Sequence, residues 1–208
     1  MDRRRQTLRT LALAAAGAVV GAALWWRQHP SACPYSQRFW VELPHPFITR
    51  ERLREALGPR RGERLLEVGP GTGYYTLAVA EWLGPQGRLD IVDVQPKMLD
   101  HTSMHARERR IGNVFPAAAD ARELPYESAS FDGVFLVAVL GEIPDQEAAL
   151  GELRRVLKPD GRIVVGELLL DPHVVTTAAL ERRARAAGLR VDGRIGGTLW
   201  HFTRLRRT

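Results

Sequence analysis

Cysteine is close to absent from this chain: Cys33 stands alone among 208 residues. An intrachain disulfide is therefore impossible, and no cysteine cluster exists to hold zinc. A reducing, cytosol-facing setting is the simplest fit to that composition. Lysine is nearly missing too, Lys97 and Lys158 against a large arginine excess, a bias that carries no mechanism. Internal repeats are lacking, which excludes solenoids and propellers. Positive charge is scarcer than its total suggests. The net charge is +6, but Arg3, Arg4, Arg5, Arg9 and Arg27 against Asp2 place +4 of it in the first 30 residues, leaving +2 for the rest. A body that close to neutral offers no general electrostatic footprint for DNA or RNA. The length allows one domain with a sizeable core plus an appendage.

What is present centres on Leu65-Leu66-Glu67-Val68-Gly69-Pro70-Gly71-Thr72-Gly73-Tyr74-Tyr75-Thr76. Leu65, Leu66 and Val68 read as a short buried strand that stops at three glycines. A helix is predicted from Tyr74 to Leu83, closed by Gly84-Pro85. Strand, glycine turn and helix make the first unit of a doubly wound α/β domain, in which ligands sit outside the carboxyl ends of the strands. A dinucleotide fingerprint needs G-x-G-x-x-G; here the spacing is G-x-G-x-G. Glu67 stands at the strand end, where a carboxylate repels phosphate and attracts an ammonium. Both features weigh against a nicotinamide oxidoreductase and favour a nucleoside that carries positive charge. A tight turn with glycines chosen for sterics alone is the plainer alternative.

With Glu67 included, the stretch resembles the first motif, E-x-G-x-G-x-G, of the class I S-adenosylmethionine-dependent methyltransferases. Val92-Asp93-Val94-Gln95-Pro96-Lys97-Met98-Leu99, Asp120-Ala121-Arg122-Glu123-Leu124-Pro125-Tyr126 and Leu157-Lys158-Pro159-Asp160-Gly161-Arg162 are similar to three further stretches of that family. The resemblance covers about Leu53–Leu205. It implies a doubly wound, seven-stranded, mostly parallel sheet with one antiparallel strand, S-adenosylmethionine as cofactor, no metal, and methyl transfer to a small molecule. It implies that Glu67 holds the methionine ammonium and that Gly69, Gly71 and Gly73 let the backbone approach the cofactor. Asp93 would take the ribose hydroxyls, Asp120 the adenine amino group, and the Ala121 amide a ring nitrogen. Asp93 as a helix cap is the bland alternative. The Asn-Pro-Pro-Tyr signature of nucleic-acid amino methylation is missing; Leu140-Gly141-Glu142-Ile143-Pro144 stands in its place. The pattern is most similar to the small-molecule branch that includes quinone and lipid methyltransferases. That class has no universal base. Glu142, Glu167 and His45 are the candidates for orienting the acceptor or taking its proton, and each could instead be surface charge or a cap. A membrane-tethered cofactor-binding protein without turnover is the alternative function.

Residues 1–30 form an expected apolar N-terminal helix. Thr10–Trp26 is free of charge and would span about 25 Å at 1.5 Å per residue, the short end for a membrane helix. Trp25-Trp26 and Arg27 suit an interfacial anchor. A retained anchor through residues 8–26, a cleaved signal, a weak twin-arginine match at Arg4-Arg5, and a start assigned too far upstream all stay open. The arginines ahead of the helix favour an exported domain, whereas the cofactor is made in the cytosol; a membrane-associated protein with a cytoplasmic catalytic domain is the reading adopted. Residues 31–62 are expected to form a linker and a lid or capping helix, with Thr49 capping Arg50–Leu57. Phe39, Trp40 and His45 read as packing against the sheet, with a lid over the acceptor as the functional alternative.

The cofactor domain is expected over 63–208. Further strands are predicted at Leu89–Val94, Asn113–Ala118, Phe131–Leu140 and Arg162–Leu170, then Leu189–Ile195 and Thr198–Leu205 as a hairpin about Gly196-Gly197. Helices are predicted at Gln95–Arg110, Gln146–Leu157 and Val175–Ala187, a turn at Lys158–Gly161, and a solvated tail containing Arg204, Arg206 and Arg207.

Overall fold

Apolar residues face both sides of the inner strands, which are therefore covered twice, whereas the two edge strands are largely open. Strands β1 (Arg64–Val68), β2 (Arg88–Asp93), β3 (Val114–Ala118), β4 (Phe131–Val137), β5 (Leu157–Leu168), β6 (Leu189–Gly196) and β7 (Trp200–Arg207) form one sheet. The computed structural model describes residues 30–37, 39 and 46–208. The sheet order is β3-β2-β1-β4-β5-β7-β6. Neighbours from β3 to β5 are parallel, and β7 runs antiparallel to both β5 and β6. The seven-stranded mixed sheet expected above is thus present.

One face buries Leu65, Leu89, Ile91, Phe135, Val164 and Phe202 under helices α1 (Arg50–Leu57), α2 (Thr76–Leu83) and α3 (Pro96–Glu108). The other buries Leu66, Val92, Val134, Leu136, Ile163 and Val165 under α4 (Gln146–Val156) and α5 (Thr177–Ala186). Three of the five described helix starts, those of α1, α4 and α5, have a side-chain cap. Thr49 Oγ1 accepts from Arg52 N, Asp145 Oδ1 from Ala148 N and Thr176 Oγ1 from Ala179 N, so side chains satisfy amides that the helix cannot.

Several boundaries differ from the sequence reading. Helix α2 starts at Thr76, because Tyr74 and Tyr75 belong to the turn and the Tyr75 hydroxyl donates to Ile48 O. Strand β4 ends at Val137, because Ala138 takes φ +55°. Lys158–Gly161 lies within β5, but Phe131 pairs with Leu157 and Gly133 with Arg162, so these residues bow out of the ladder where the turn was expected. The C-terminal arginines are not a solvated tail. Arg204 and Arg206 each reach Asp192 at 2.9 Å, and Arg207 donates to Leu157 O. Phe39 does not pack on the sheet; it is 61% exposed. Trp40, His45 and the expected N-terminal helix lie outside the described residues. No helix among the described residues is long and apolar enough to cross a membrane.

Candidate cofactor site and its surroundings

The parallel strands deliver their carboxyl ends to one edge, and the order reverses between β1 and β4, which is where an open α/β sheet leaves a crevice. The β1 loop enters that crevice as nearly bare backbone. Gly69 has φ +67° and donates to Val92 O at 2.8 Å. A Cβ there would lie 2.5 Å from Val139 Cγ2, just beyond β4. Gly73 has φ +87°, and a Cβ would meet Thr102 Cγ2 at 3.0 Å. Thr102 also donates to Gly71 O at 2.9 Å, tying the loop to α3. Backbone conformation and close packing both call for glycine here.

Glu67 closes β1 at 2% exposure. Its Oε2 accepts from Thr76 Oγ1 at 2.6 Å. Burial, against that bond, pushes its carboxyl up to about 8. A buried carboxylate whose neighbours supply a hydroxyl and no cation is stabilised by a cationic ligand. Asp93 closes β2; its Oδ1 accepts from Gln95 N at 2.8 Å, and burial raises its carboxyl. Asp120 follows β3 and is held by the Arg122 guanidinium, with Nη2 at 2.7 Å. That fork keeps Asp120 below the usual carboxylate range and therefore ionised as an acceptor. Ala121 beside it is buried. Glu67, the three glycines, Asp93 and Asp120 thus occupy the strand ends that the sequence assigned to them. The donor set fits a cationic amino acid joined to a ribose and an adenine.

A short segment within the expected linker and lid, residues 31–62, reaches over this crevice. The Gln95 side-chain amide pairs twice with a short segment ahead of α1: Nε2 donates to Cys33 O at 2.9 Å and Oε1 accepts from Tyr35 N at 3.0 Å. Cys33 N donates to Glu142 Oε2 at 3.2 Å. Gln95 follows β2 and Glu142 follows β4, so this strap crosses above β1, which lies between them. The only signal in the sequence was the position of Gln95, two residues after Asp93.

Beyond β4, Glu142 ends a short 3-10 turn, Leu140–Glu142. Gly141 packs on the His173 backbone so tightly that a Cβ would fall 1.6 Å from His173 O, which seats Glu142 beside the segment after β5. Glu167 is 1% exposed on β5; Oε2 accepts from Val175 N at 3.1 Å, and Oε1 has no partner. Burial raises Glu142 to about 7, with Asp171 and Asp93 adding to it, and raises Glu167 to about 8, with Asp171 and Glu142 adding. Asp171, which the sequence reading passed over, joins Glu142 and Glu167; His45 is outside the described residues. Across the ladder from Glu167 stands His201, whose Nδ1 lies 3.1 Å from Thr203 Oγ1. A cleft of about 610 Å³ opens alongside, lined in part by Gly141, Pro144, His173, Val175 and Arg183, a volume in the range of small-molecule pockets.

A family model described as a methyltransferase domain matches residues 66–165, from inside β1 to inside β5. Over these residues the chain is similar to the class I S-adenosylmethionine-dependent methyltransferases. A demethylmenaquinone methyltransferase of Staphylococcus aureus is 37% identical over 117 residues, 56% of this chain and 48% of that protein. The chain thus spans about half the length of the curated relatives it matches. A SAM-dependent methyltransferase from Aquifex aeolicus superposes with TM-score 0.76 at 20% identity, over 83% of this chain and 98% of that one, a likeness of fold. The [4+2]-cyclase SpnF superposes with TM-score 0.64 at 27% identity, over 70% and 57%. That likeness of fold accounts for the sheet order.

Proposed function

We propose that the protein transfers the methyl group of S-adenosylmethionine to a small, protic, hydrophobic acceptor at or beside a membrane, with its catalytic domain cytoplasmic. The observation that carries the transfer reading is Glu67, buried with no cation beside it among the described residues, ahead of a loop in which Gly69 and Gly73 leave no room for a side chain. In this reading residues 63–208 are the cofactor domain and residues 31–62 the linker and capping segment. Glu67 holds the methionine ammonium, Gly69, Gly71 and Gly73 admit the cofactor to the backbone, Asp93 takes the ribose, and Asp120 and the Ala121 amide take the adenine. When bound, S-adenosylmethionine supplies a methyl carbon already activated by its sulfonium. The chain's own task is alignment and exclusion of water, and the Cys33–Tyr35 strap excludes water from above. In this reading Glu142 or Glu167 receives the acceptor's proton; burial brings their carboxyls to about 7 and about 8, near the working pH of a general base.

Three features support an apolar acceptor of quinone or lipid type. The charge-free run of residues 10–26 suits membrane attachment. Leu169, Leu170 and Leu199 are exposed at the far end of β5 and the β6–β7 hairpin, where Leu169 N bonds Leu199 O. The Staphylococcus relative is named for a quinone substrate. A second reading, cofactor binding without methyl turnover, draws support from the likeness to a cyclase, whose name describes a different reaction. Calorimetry with S-adenosylhomocysteine and with NADH tests the premise: binding of the first alone is expected, and binding of NADH alone overturns it. Methyl-labelled cofactor should then pass label into a lipid extract; binding without label transfer selects the second reading. Removal of residues 1–30 should abolish membrane partitioning, and a truncated chain that still pellets with membranes removes that part of the proposal.

A further inference from the structure

Four carboxylates crowd the edge of the crevice. Asp93 closes β2, Glu142 follows β4, Glu167 lies near the end of β5, and Asp171 lies in the turn after it. Each receives a backbone amide: Gln95 N on Asp93, Cys33 N on Glu142, Val175 N on Glu167 and His173 N on Asp171. Among the described residues none of the four forms an ion pair with arginine or lysine. Among the described residues, Asp171 and Asp93 act on Glu142, Asp171 and Glu142 act on Glu167, and His173 acts on Asp171. Behind its own burial, the Cys33 thiol is pushed up by Glu142 and Asp171, a second report of the same negative field. Within the group, Glu167 Oε1 is buried and has no hydrogen-bond partner among the described residues. An orphaned buried acceptor calls for an explanation, and a cation is what this one lacks.

The methyl donor carries two positive centres, an ammonium and a sulfonium; its product keeps only the ammonium. Glu67 serves the centre that both share. Resting on the reading of this crevice as an S-adenosylmethionine site, we propose that Glu142, Glu167 and Asp171, backed by Asp93, form a charge-selective subsite that holds the cationic sulfur and loosens its grip once the methyl group has left. The geometry favours it. Val139, three residues before Glu142, touches the glycine loop at Gly69, so the acidic group borders the same crevice. Opposite charges a few ångströms apart at a partly buried site attract by several-fold to tens-fold in affinity. The group is raised toward neutrality without a ligand, so an arriving cation displaces protons from it. Glu67 releases a proton to donor and product alike, so the difference between the two ligands reports on the Glu142 group.

The test is calorimetry on the full chain with S-adenosylmethionine and S-adenosylhomocysteine, repeated near pH 7 in buffers of different ionisation enthalpy. The donor should bind roughly tenfold tighter than the product, release more protons, and lose much of that advantage in high salt. In the double variant Glu142→Gln, Glu167→Gln the ratio should fall toward about one, while product affinity stays within about twofold. Equal affinities and equal proton release in the unaltered chain overturn the inference, as does a ratio that the double variant leaves intact. Binding of neither ligand overturns the cofactor reading instead. If the double variant does not fold, the proton count on the unaltered chain decides alone.

Discussion

The two ends of the sheet treat carboxylates in opposite ways. At the amino end every buried acid has a cation. Glu63 meets Arg162 at 2.6 Å and Arg60 at 2.9 Å, Asp90 meets Arg64 and Arg88, and the less buried Asp132 meets Lys158. At the carboxyl end Glu67, Asp93, Glu142, Glu167 and Asp171 have hydroxyl or amide donors instead; the half-buried Asp120 has an arginine. The titrations follow. Burial raises Glu63, but hydrogen bonds from Arg162 and Arg60 outweigh it and hold the carboxyl at about 2, whereas burial lifts Glu67 and Glu167 to about 8. A saturated acid serves the fold. An unmatched one in a crevice is available to a ligand.

The contrast can be broken hardest at the amino end. Arg162→Ala strands Glu63 and removes donors to Leu57 O, Gly58 O and Asp132 O. It should cost about 3–5 kcal/mol and lower the melting temperature by roughly 10 °C; a shift of a degree or two would put both ends on the same footing. Next comes the carboxyl-end loop. Gly69→Ala drives a methyl into Val139 at positive φ, at about 1–3 kcal/mol, and should weaken S-adenosylhomocysteine binding by roughly tenfold, about 1.4 kcal/mol. Adding Val139→Ala should recover part of the stability but, with φ still strained, not all of it. The smallest effect is the sharpest. A carboxyl raised in the folded state binds its proton more tightly there, so its contribution is full below the unfolded value and is lost as pH climbs through about 8. A lowered one such as Glu63 stabilises above the unfolded value and fails as pH falls toward 2. Between pH 5 and 8.5 the unliganded protein should therefore lose stability, and Glu167→Gln should flatten that limb by roughly 1–3 °C while leaving the acid limb unchanged. Melting curves across pH separate the two.

The fold was legible because its signals are local. Apolar runs, glycine turns and caps such as Thr49 are read within a few residues, and the family resemblance drew attention to Glu67, Asp93 and Asp120, which lie at or just beyond strand ends. Boundaries failed where a distant contact decided them: Tyr75 leaves the helix to reach Ile48, and β4 stops at Ala138, whose amide donates to Gly166 O. The strap and the acidic group were hidden for the same reason. Cys33 is 109 residues from Glu142 and 62 from Gln95, and neither pairing leaves a periodicity. Glu167 did leave a trace, a charge inside an apolar strand; its company, Asp171 and His201, comes from the turn after β5 and from pairing with β7.

The contact between Gly69 and Val139 has a mechanical consequence. The backbone that would cradle the donor and the chain leading to the acceptor's side are keyed into each other, so neither can be displaced without the other. Registration between the two reactants is then set when the polypeptide folds, and little searching is left for each catalytic cycle.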